Sequence, residues 1–576
     1  MVEFRVPEVL SVAAMLGCQP EDVDPRPAFP SSESNADACY LPFWLINLPS
    51  DAFAREVAAR CILVRGLYEL WGQGDSFPQL LADAETRLPP EHRLPYLSEQ
   101  ITFRIQVESF GHSLTMEEQT AAVHALHPID FKGPVRLKSA EVTFRLLMCD
   151  TANLGVLLEG VCAPTAPEVS RHRGLSQLRG RDPQGGGPAL GVTQVPYRMF
   201  FAREVGISDV TTRGLLDVYT LKKRLYLGPT SMDTELALVM CNMGQVRRSQ
   251  LVLDPFAGTG SIMVAAAHFG AQVMGSDIDI RVIKVGKVSK DGQPLNIYSN
   301  FKQYGFKAPA ALVRMDLHSN PLRPGLEEVF DSLVCDPPYG VRAGGRKSNA
   351  NGGMLIQDRA SHIASTAPYT LGECLRDLLE LASKMLRVGG RLIYWLPVTP
   401  DSYCTDDIPQ HPALTLLYNS EQKLNSKFSR RLITMCKTQP YDAEAAATYY
   451  SAHPNPALPI DTIHDVAMPT LPSGKHRPNA RKQTQDSGNG GGSSSGGAPA
   501  AATAADGSSC TGAAAGESGV AGVEPGAQQE GELEGGEGVD AGSGSVASSA
   551  GRSKRLSRKE RMQKNGWEPG FRCKNV

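Results

Sequence analysis

This 576-residue sequence contains no CxxC pair, no run of about 18 consecutive apolar residues, and no excess of positive charge. Each absence excludes something. The 12 cysteines are scattered, the closest pair (Cys149 and Cys162) lying thirteen residues apart. That leaves no zinc-ribbon or redox motif, and points to a reducing compartment, cytosol or nucleus. Without a long apolar run, no transmembrane helix and no membrane partner are expected. With 58 Lys+Arg against 61 Asp+Glu, the formal net charge of -3 argues against a histone-like, wholly basic nucleic-acid binder. It leaves room for a local basic surface, which is what an RNA would meet. The short apolar stretch Val9 to Cys18 has neither a net-positive segment before it nor a cleavage site after it, so it reads as strand then helix of a folded domain.

What is present is unevenly distributed. Apolar residues at 41% and charged residues at 21% fit a globular protein, and the length allows two to four domains at roughly 150 residues each. From Ser487 to Ala550, 43 of 64 residues are Gly, Ser or Ala, with eight acidic residues and no basic one. Such a segment buries too little apolar surface to offset chain entropy and is expected to be disordered. The last 26 residues reverse sign, with nine Lys/Arg against two Glu. That terminus suits either extra phosphate contacts or nuclear targeting.

The first 195 or so residues read as short α/β units. Ile101, Phe103, Ile105 and Val107 alternate with polar residues, the period of a half-buried strand, and Val142, Phe144, Leu146 and Met148 repeat the strand pattern. Thr115 with Glu118 has capping-box spacing for a helix between them. Residues 163–195, rich in Pro and Gly, read as a linker. From Leu251 the pattern becomes strand–helix–strand. Leu251–Leu253, Ala310–Val313, Ser332–Cys335 and Leu392–Leu396 are apolar runs without alternation, as parallel strands covered on both faces require. A helix striped by Leu375, Leu378, Leu379 and Ala382 is expected to be capped by Thr370 with Glu373 and stopped by Gly389-Gly390. Leu414–Tyr418 and Leu432–Cys436 would close the domain as a hairpin. The fold class is therefore α/β, with a doubly wound domain over 196–440.

Asp254-Pro-Phe256-Ala-Gly258-Thr259-Gly260-Ser261 falls where a strand turns into a helix. A GxGxxG dinucleotide fingerprint fails because Met263 holds the third glycine position, and no P-loop is present. Asp254 would repel a polyphosphate, so the loop suits a ligand with a cationic group, such as S-adenosylmethionine. Asp277 ends the next strand and can accept from ribose hydroxyls. Asp316 ends the third and can accept from an adenine amine. Each Asp alone is an ordinary strand-end turn or cap; the three together beside a glycine loop make a cofactor site.

Asp336-Pro337-Pro338-Tyr339 follows the fourth apolar strand. A purine amine is a weak nucleophile because its lone pair is delocalised. The Asp336 carboxylate and the Pro337 carbonyl can take its hydrogens and aim the lone pair at a methyl donor. The prolines stiffen this turn, and Tyr339 offers a face for an extruded base. Neither a tuned general base nor a metal is required. Arg342, Arg346 and Lys347, just beyond, are candidate phosphate contacts, or else a solvated loop. Lys222-Lys223-Arg224 is a second basic run, equally readable as an exposed helix face. The amine remains open on the motif alone: guanine N2 in tRNA, or adenine N6 in rRNA or DNA. A non-enzymatic RNA-binding scaffold would predict decay at the glycine loop or at Asp336–Tyr339, and neither is damaged.

Five segments together resemble the catalytic subunits of eukaryotic tRNA guanosine-10 N2-methyltransferases, THUMP-containing class I methyltransferases. They are Phe4–Glu8, Leu63–Gly72, Lys222–Met232, Asp254–Ser261 and Asp336–Lys347. The resemblance covers about residues 1 to 440. It implies a ferredoxin-like/THUMP RNA-binding region and linker over 1–195 that grips the tRNA and sets the distance to the target base. It further implies a Rossmann-like methyltransferase domain over 196–440, followed by an extension over 441–486 and the tail 487–576. S-adenosylmethionine is implied at the glycine loop, Asp277 and Asp316, with Asp336 to Tyr339 at the reaction centre. A small zinc-binding methyltransferase activator protein is implied as partner, with the Ala311–Met315 strand a plausible edge for it to join.

Overall fold

In the computed structural model the described residues are 2–28, 42–150, 197–339, 346–348 and 366–453. The expected linker, Arg342 and the tail 487–576 fall outside them.

The chain opens with helix α1 (Arg5–Met15), where a strand followed by a helix was expected. Its buried residues, Glu8, Val9, Ser11, Val12 and Ala13, follow helical spacing. Both carboxylate oxygens of Glu8 turn inward, accepting from the backbone of Ile62 at 2.8 Å and Leu63 at 2.9 Å. Helix α2 (Asp51–Arg60) is capped by the Ser50 hydroxyl. Strand β1 (Gly66–Gly74), helix α3 (Phe77–Arg87), strand β2 (Phe103–Phe110), helix α4 (Met116–His124), strand β3 (Val142–Asp150) and strand β4 (Tyr197–Ile207) follow. The Thr115/Glu118 capping box is formed at α4. The four strands make one sheet in the order β1-β4-β3-β2, in which β4 runs antiparallel to both of its neighbours. Trp71, Leu80, Phe144 and Phe201 form the core on one side. A boundary at residue 195 therefore cuts this sheet short: Tyr197–Ile207 is its second strand by position, and we place the boundary after Ile207.

Helix α5 (Thr234–Met243) leads into the second sheet. Its elements are β5 (Leu251–Asp254), α6 (Ser261–His268), β6 (Gln272–Asp277), α7 (Ile297–Gln303), β7 (Ala311–Arg314), β8 (Phe330–Cys335), α8 (Leu371–Met385), β9 (Leu386–Val398), β10 (Leu414–Lys423), β11 (Ser429–Lys437) and the trailing helix α9 (Ala443–Ala452). The strand order is β7-β6-β5-β8-β9-β11-β10. The first five are parallel, and the β10–β11 hairpin closes the sheet antiparallel. Neighbouring residues on one strand enter opposite cores: Val252, Val334 and Ile393 join α5 and α6, whereas Leu253, Leu333 and Leu392 join α8. This double coverage explains the unalternated apolar runs. Strand β7 is an edge, as expected.

Thr370 and Glu373 cap α8 reciprocally. The helix ends at Met385, earlier than Gly389-Gly390, because Leu386 already has extended geometry. The glycines serve a bend within β9. Gly389 has φ +85°, and a Cβ on Gly390 would lie 2.8 Å from the Arg387 carbonyl oxygen.

Candidate active site

Strand β5 delivers Asp254 to the C-terminal edge of the sheet, where the chain turns into α6. The side chain is 2% exposed, and one of its oxygens accepts from the Phe256 N–H at 3.1 Å. Gly258 (φ +49°) and Gly260 (φ +80°) take the left-handed backbone that the turn requires. A Cβ on Gly258 would meet only the Phe256 carbonyl oxygen, at 3.9 Å, so the loop presents open backbone there. Met263, in place of a third glycine, is accommodated from below: a Cβ on Gly275 of β6 would lie 2.5 Å from its sulfur.

Asp277 ends β6 and ties the two strand ends together. Its Oδ2 accepts from Gly258 N at 3.1 Å and its Oδ1 from Asp279 N at 2.9 Å. Asp316, two residues past β7, accepts from the His318 N–H at 3.1 Å. Asp336 follows β8. It accepts a hydrogen bond from the Tyr339 hydroxyl, which in turn accepts from Arg430 Nη1 at 3.2 Å. Pro337 is buried and Pro338 half-buried.

Burial pushes the Asp254 carboxyl well above the ordinary carboxylate range; the Phe256 N–H opposes the shift, and the Asp277 and Asp336 charges add to it. Burial likewise raises Asp277 against the pull of its N–H donors, and Asp336 against Tyr339 and Arg430. Among the described residues no lysine or arginine forms an ion pair with any of the three. Neighbouring carboxylates, one buried and two half-buried, held by donors but outside any direct ion pair, make a site that favours a positively charged ligand.

The expected residues Asp254, Phe256, Gly258, Thr259, Gly260, Asp277 and Asp336–Tyr339 thus gather at the ends of adjacent strands, with Asp316 at the end of β7. Lys347 lies in a short strand paired with residues 366–368 (as does the Arg346 backbone). Its ammonium is 3.0 Å from Glu373 and 5.7 Å from the Tyr369 ring centroid, so it is partly neutralised.

Several contributors escaped the sequence reading. Arg224, read as part of an exposed basic run, is 6% exposed and donates to Ser261 Oγ at 2.9 Å, at the start of α6. Ser231 shares a hydrogen bond with Thr259 at 2.8 Å, and Asn300 of α7 donates to the Tyr226 carbonyl at 2.9 Å. The segment Arg224–Ser231 is therefore a strap over the glycine loop. Arg430 of β11 reaches Tyr339 while lying 4.0 Å over the Trp395 ring.

Residues 2–165 match the family model described as Tmrp11 THUMP N-terminal domain, and residues 222–351 match the RMKL-like methyltransferase domain. The mouse (Mus musculus) tRNA (guanine(10)-N(2))-methyltransferase TRMT11 is 33% identical over 451 residues, covering 77% of this chain and 87% of that one. The human (Homo sapiens) TRMT11 is 33% identical over 454 residues, with the same coverage. The Saccharomyces cerevisiae enzyme of that name is 33% identical over 407 residues, covering 68% of this chain and 83% of that one. The chain belongs to the tRNA (guanine(10)-N2)-methyltransferase family. Both motifs of a methyltransferase site are intact in this family member, and the sheet brings them to one edge. The strap residues lie within Lys222–Met232, a segment the family resemblance had marked without giving it a role. Arg430 carried no comparable signal.

Proposed function

We propose that this chain is a tRNA methyltransferase that transfers a methyl group from S-adenosylmethionine to the exocyclic N2 amine of guanosine 10. The observation that carries the reading is buried Asp254 with half-buried Asp277 and Asp336, none in an ion pair among the described residues, set around an open left-handed glycine loop and a proline-stiffened Asp336 turn. Family membership supplies the substrate. The donor set fits S-adenosylmethionine: Asp254 and its neighbours would face its positive groups, Asp277 would accept from its ribose, and Asp316 would accept from its adenine amine. When bound it supplies the electrophilic methyl.

The chain's own residues do the rest. Tyr339 occupies Asp336 Oδ1, leaving Oδ2 and the Pro337 carbonyl to accept the two amine hydrogens and direct the nitrogen lone pair. Arg430 fixes the Tyr339 hydroxyl. Transfer would break the sulfonium–methyl bond, with S-adenosylhomocysteine leaving, and the methylated amine would pass one proton to Asp336 or to solvent. Arg342, Arg346 and Lys347 are proposed to contact tRNA phosphates, and the N-terminal THUMP region to grip the tRNA.

The reading includes a small zinc-binding activator protein. Strand β7, a free edge of the sheet, is the strand it would join. Loss of co-purification after charged substitutions in Ala311–Arg314 would support that edge, and unchanged co-purification would remove it. The eight described cysteines are unpaired and mostly buried, in keeping with a reducing cytosol or nucleus. The deciding experiment is transfer of labelled methyl from S-adenosylmethionine to tRNA, with nucleoside analysis of the product, with and without the activator. N2-methylguanosine is expected. Methyladenosine would overturn the reading.

A further inference from the structure

The chain leaves Asp277 at the C-terminal edge of the sheet and folds back as the turn Arg281–Val285 and a short hairpin, Lys287–Val288 against Pro294–Leu295. This hairpin is fastened to the strap. Lys287 Nζ donates to the Leu227 carbonyl at 2.7 Å, and the Tyr226 hydroxyl donates to the Val282 carbonyl at 2.7 Å. Gln303 of α7 accepts from Leu225 N at 3.0 Å and donates to the Lys223 carbonyl at 2.7 Å. The juxtaposition gathers Lys222, Lys223, Lys284, Lys287 and Lys290, all exposed, around Leu225, Val285 and Val288, which are 53%, 62% and 75% exposed.

None of these lysines forms an ion pair among the described residues. Arg281 is neutralised by Asp279 at 2.7 Å, and the exposed carboxylates close by in the chain, Asp217 and Asp291, leave the surface net positive. Lys223 and Lys287 are held by the Asp217 and Leu227 carbonyls, at 2.9 and 2.7 Å, and keep their charge; Lys222, Lys284 and Lys290 are point charges on flexible stems, suited to phosphates whose positions vary. The surface adjoins the glycine loop, because Lys222 and Lys223 lead into the Arg224–Ser231 strap, which bonds Thr259 through Ser231. Asp277, from which the hairpin departs, and Asp336 stand at the C-terminal ends of β6 and β8, with only β5 between them.

We propose that the segment Lys222–Leu227, which runs into the strap, and the turn and hairpin Arg281–Leu295 form a platform that contacts the tRNA sugar–phosphate backbone beside the target nucleotide. This rests on the tRNA reading above. The platform is sequence-independent: it adds affinity and register, while the base is selected at Asp336.

The test uses the full chain and an unmodified tRNA transcript carrying guanosine at position 10. The triple variant Lys222→Gln, Lys284→Gln, Lys290→Gln removes three charges without touching a hydrogen bond of the strap. Its tRNA Kd is expected to rise by about tenfold or more at moderate salt. The slope of log K against log salt should become shallower by about 2, from roughly 0.7–0.9 per lost contact. KM for tRNA should rise while kcat and S-adenosylmethionine binding hold. Arg248→Gln, just before the N-terminal end of β5 and so away from the C-terminal strand ends, should leave Kd and slope unchanged. Unchanged Kd and slope in the triple variant would overturn the platform, as would an equal loss in Arg248→Gln. Loss of a co-purifying protein with the tRNA slope intact would reassign the surface to that protein and equally overturn it. Wild-type protein without salt-dependent tRNA binding would strike the tRNA reading itself.

Discussion

Two acidic regions of this molecule are built alike and finished differently. In the N-terminal sheet, Glu69, Glu108 and Glu204 are half-buried on strands, and each meets arginine. Arg203 Nε lies 2.7 Å from Glu69, Arg145 Nη2 lies 2.6 Å from Glu204, and Glu108 receives both Arg145 and Arg65. Burial alone would raise Glu69, yet hydrogen bonds from Arg203, Trp71 and His92 bring it below its ordinary value. At the edge of the methyltransferase sheet, Asp254, Asp277 and Asp336 are as buried or more so, and all are raised. The difference is the missing ion pair: Arg430 reaches Asp336 only through the Tyr339 hydroxyl. A fold that needs a carboxylate for its own sake pairs it internally, whereas one that leaves three outside any ion pair holds them for a ligand.

The largest effect should come from the uncompensated set. Asp336→Ala removes an acceptor that acts on the reacting amine, and kcat for tRNA methylation should fall by about 10²–10³, with S-adenosylmethionine binding little changed. Labelled-methyl transfer at saturating cofactor measures it. Activity at the wild-type level would mean that Asp336 is as structural as Glu69, and the contrast would collapse.

The compensated set should answer in stability instead. Arg203 holds Glu69 and also Asp51 at 2.8 Å. Arg203→Met takes the arginine from two carboxylates, of which Glu69 keeps Trp71 and His92 and Asp51 is 38% exposed. Discounting for that exposure, the loss should be about 2–3 kcal/mol. A denaturant titration reads it directly, while cofactor affinity measured on the folded protein should not move. Third in size, Asp277→Ala should weaken S-adenosylmethionine by roughly 10–100-fold, from about 1.5–3 kcal/mol for a charged hydrogen bond. Calorimetry with the purified chain checks it, and a binding loss confined to Arg203→Met would reverse the assignment.

How far the sequence alone reaches follows from the range of each interaction. The glycine loop, the Asp336 turn and the capping boxes at Thr115 and Thr370 are local, fixed by residues a few positions apart, and all were readable. Parallel strands announced themselves by burial on both faces. Arg224 and Arg430 were not readable, because their roles depend on Ser261 and Tyr339, 37 and 91 residues away. Nothing in Lys222-Lys223-Arg224 says that its third member turns inward. Tyr197–Ile207 was placed beyond the boundary because it pairs across the long 151–196 segment with strands much earlier in the chain. At α1 the apolar stretch Val9–Cys18 reads locally as strand then helix, since the partners of Glu8 just before it, Ile62, Leu63 and Asn242, are invisible from the local sequence.

Glu8 also gives the smallest and sharpest test of the comparison, because it belongs to neither class. It is 0% exposed, and its donors are neutral: two backbone N–H groups and the Asn242 amide at 2.7 Å. Burial raises its pKa to about 7, against the pull of Ile62, Asn242 and Leu63, and Arg60 is the nearest cation acting on it. The folded value exceeds the unfolded one, so the linked stability is fully present below about pH 4.5 and is lost as pH rises through about 7. Between pH 6 and 8 the wild type should lose about 1 kcal/mol through this group. The Glu8→Gln variant, which cannot titrate there, should show a correspondingly flatter profile in urea titrations at the two pH values. Parallel profiles for the two proteins would mean that Arg60 compensates Glu8 as fully as Arg203 compensates Glu69, and would move it into the structural class. A flatter Glu8→Gln profile would show that burial without a cation is not by itself a mark of a ligand site. The feature that singles out Asp254, Asp277 and Asp336 would then be their mutual proximity beside open backbone.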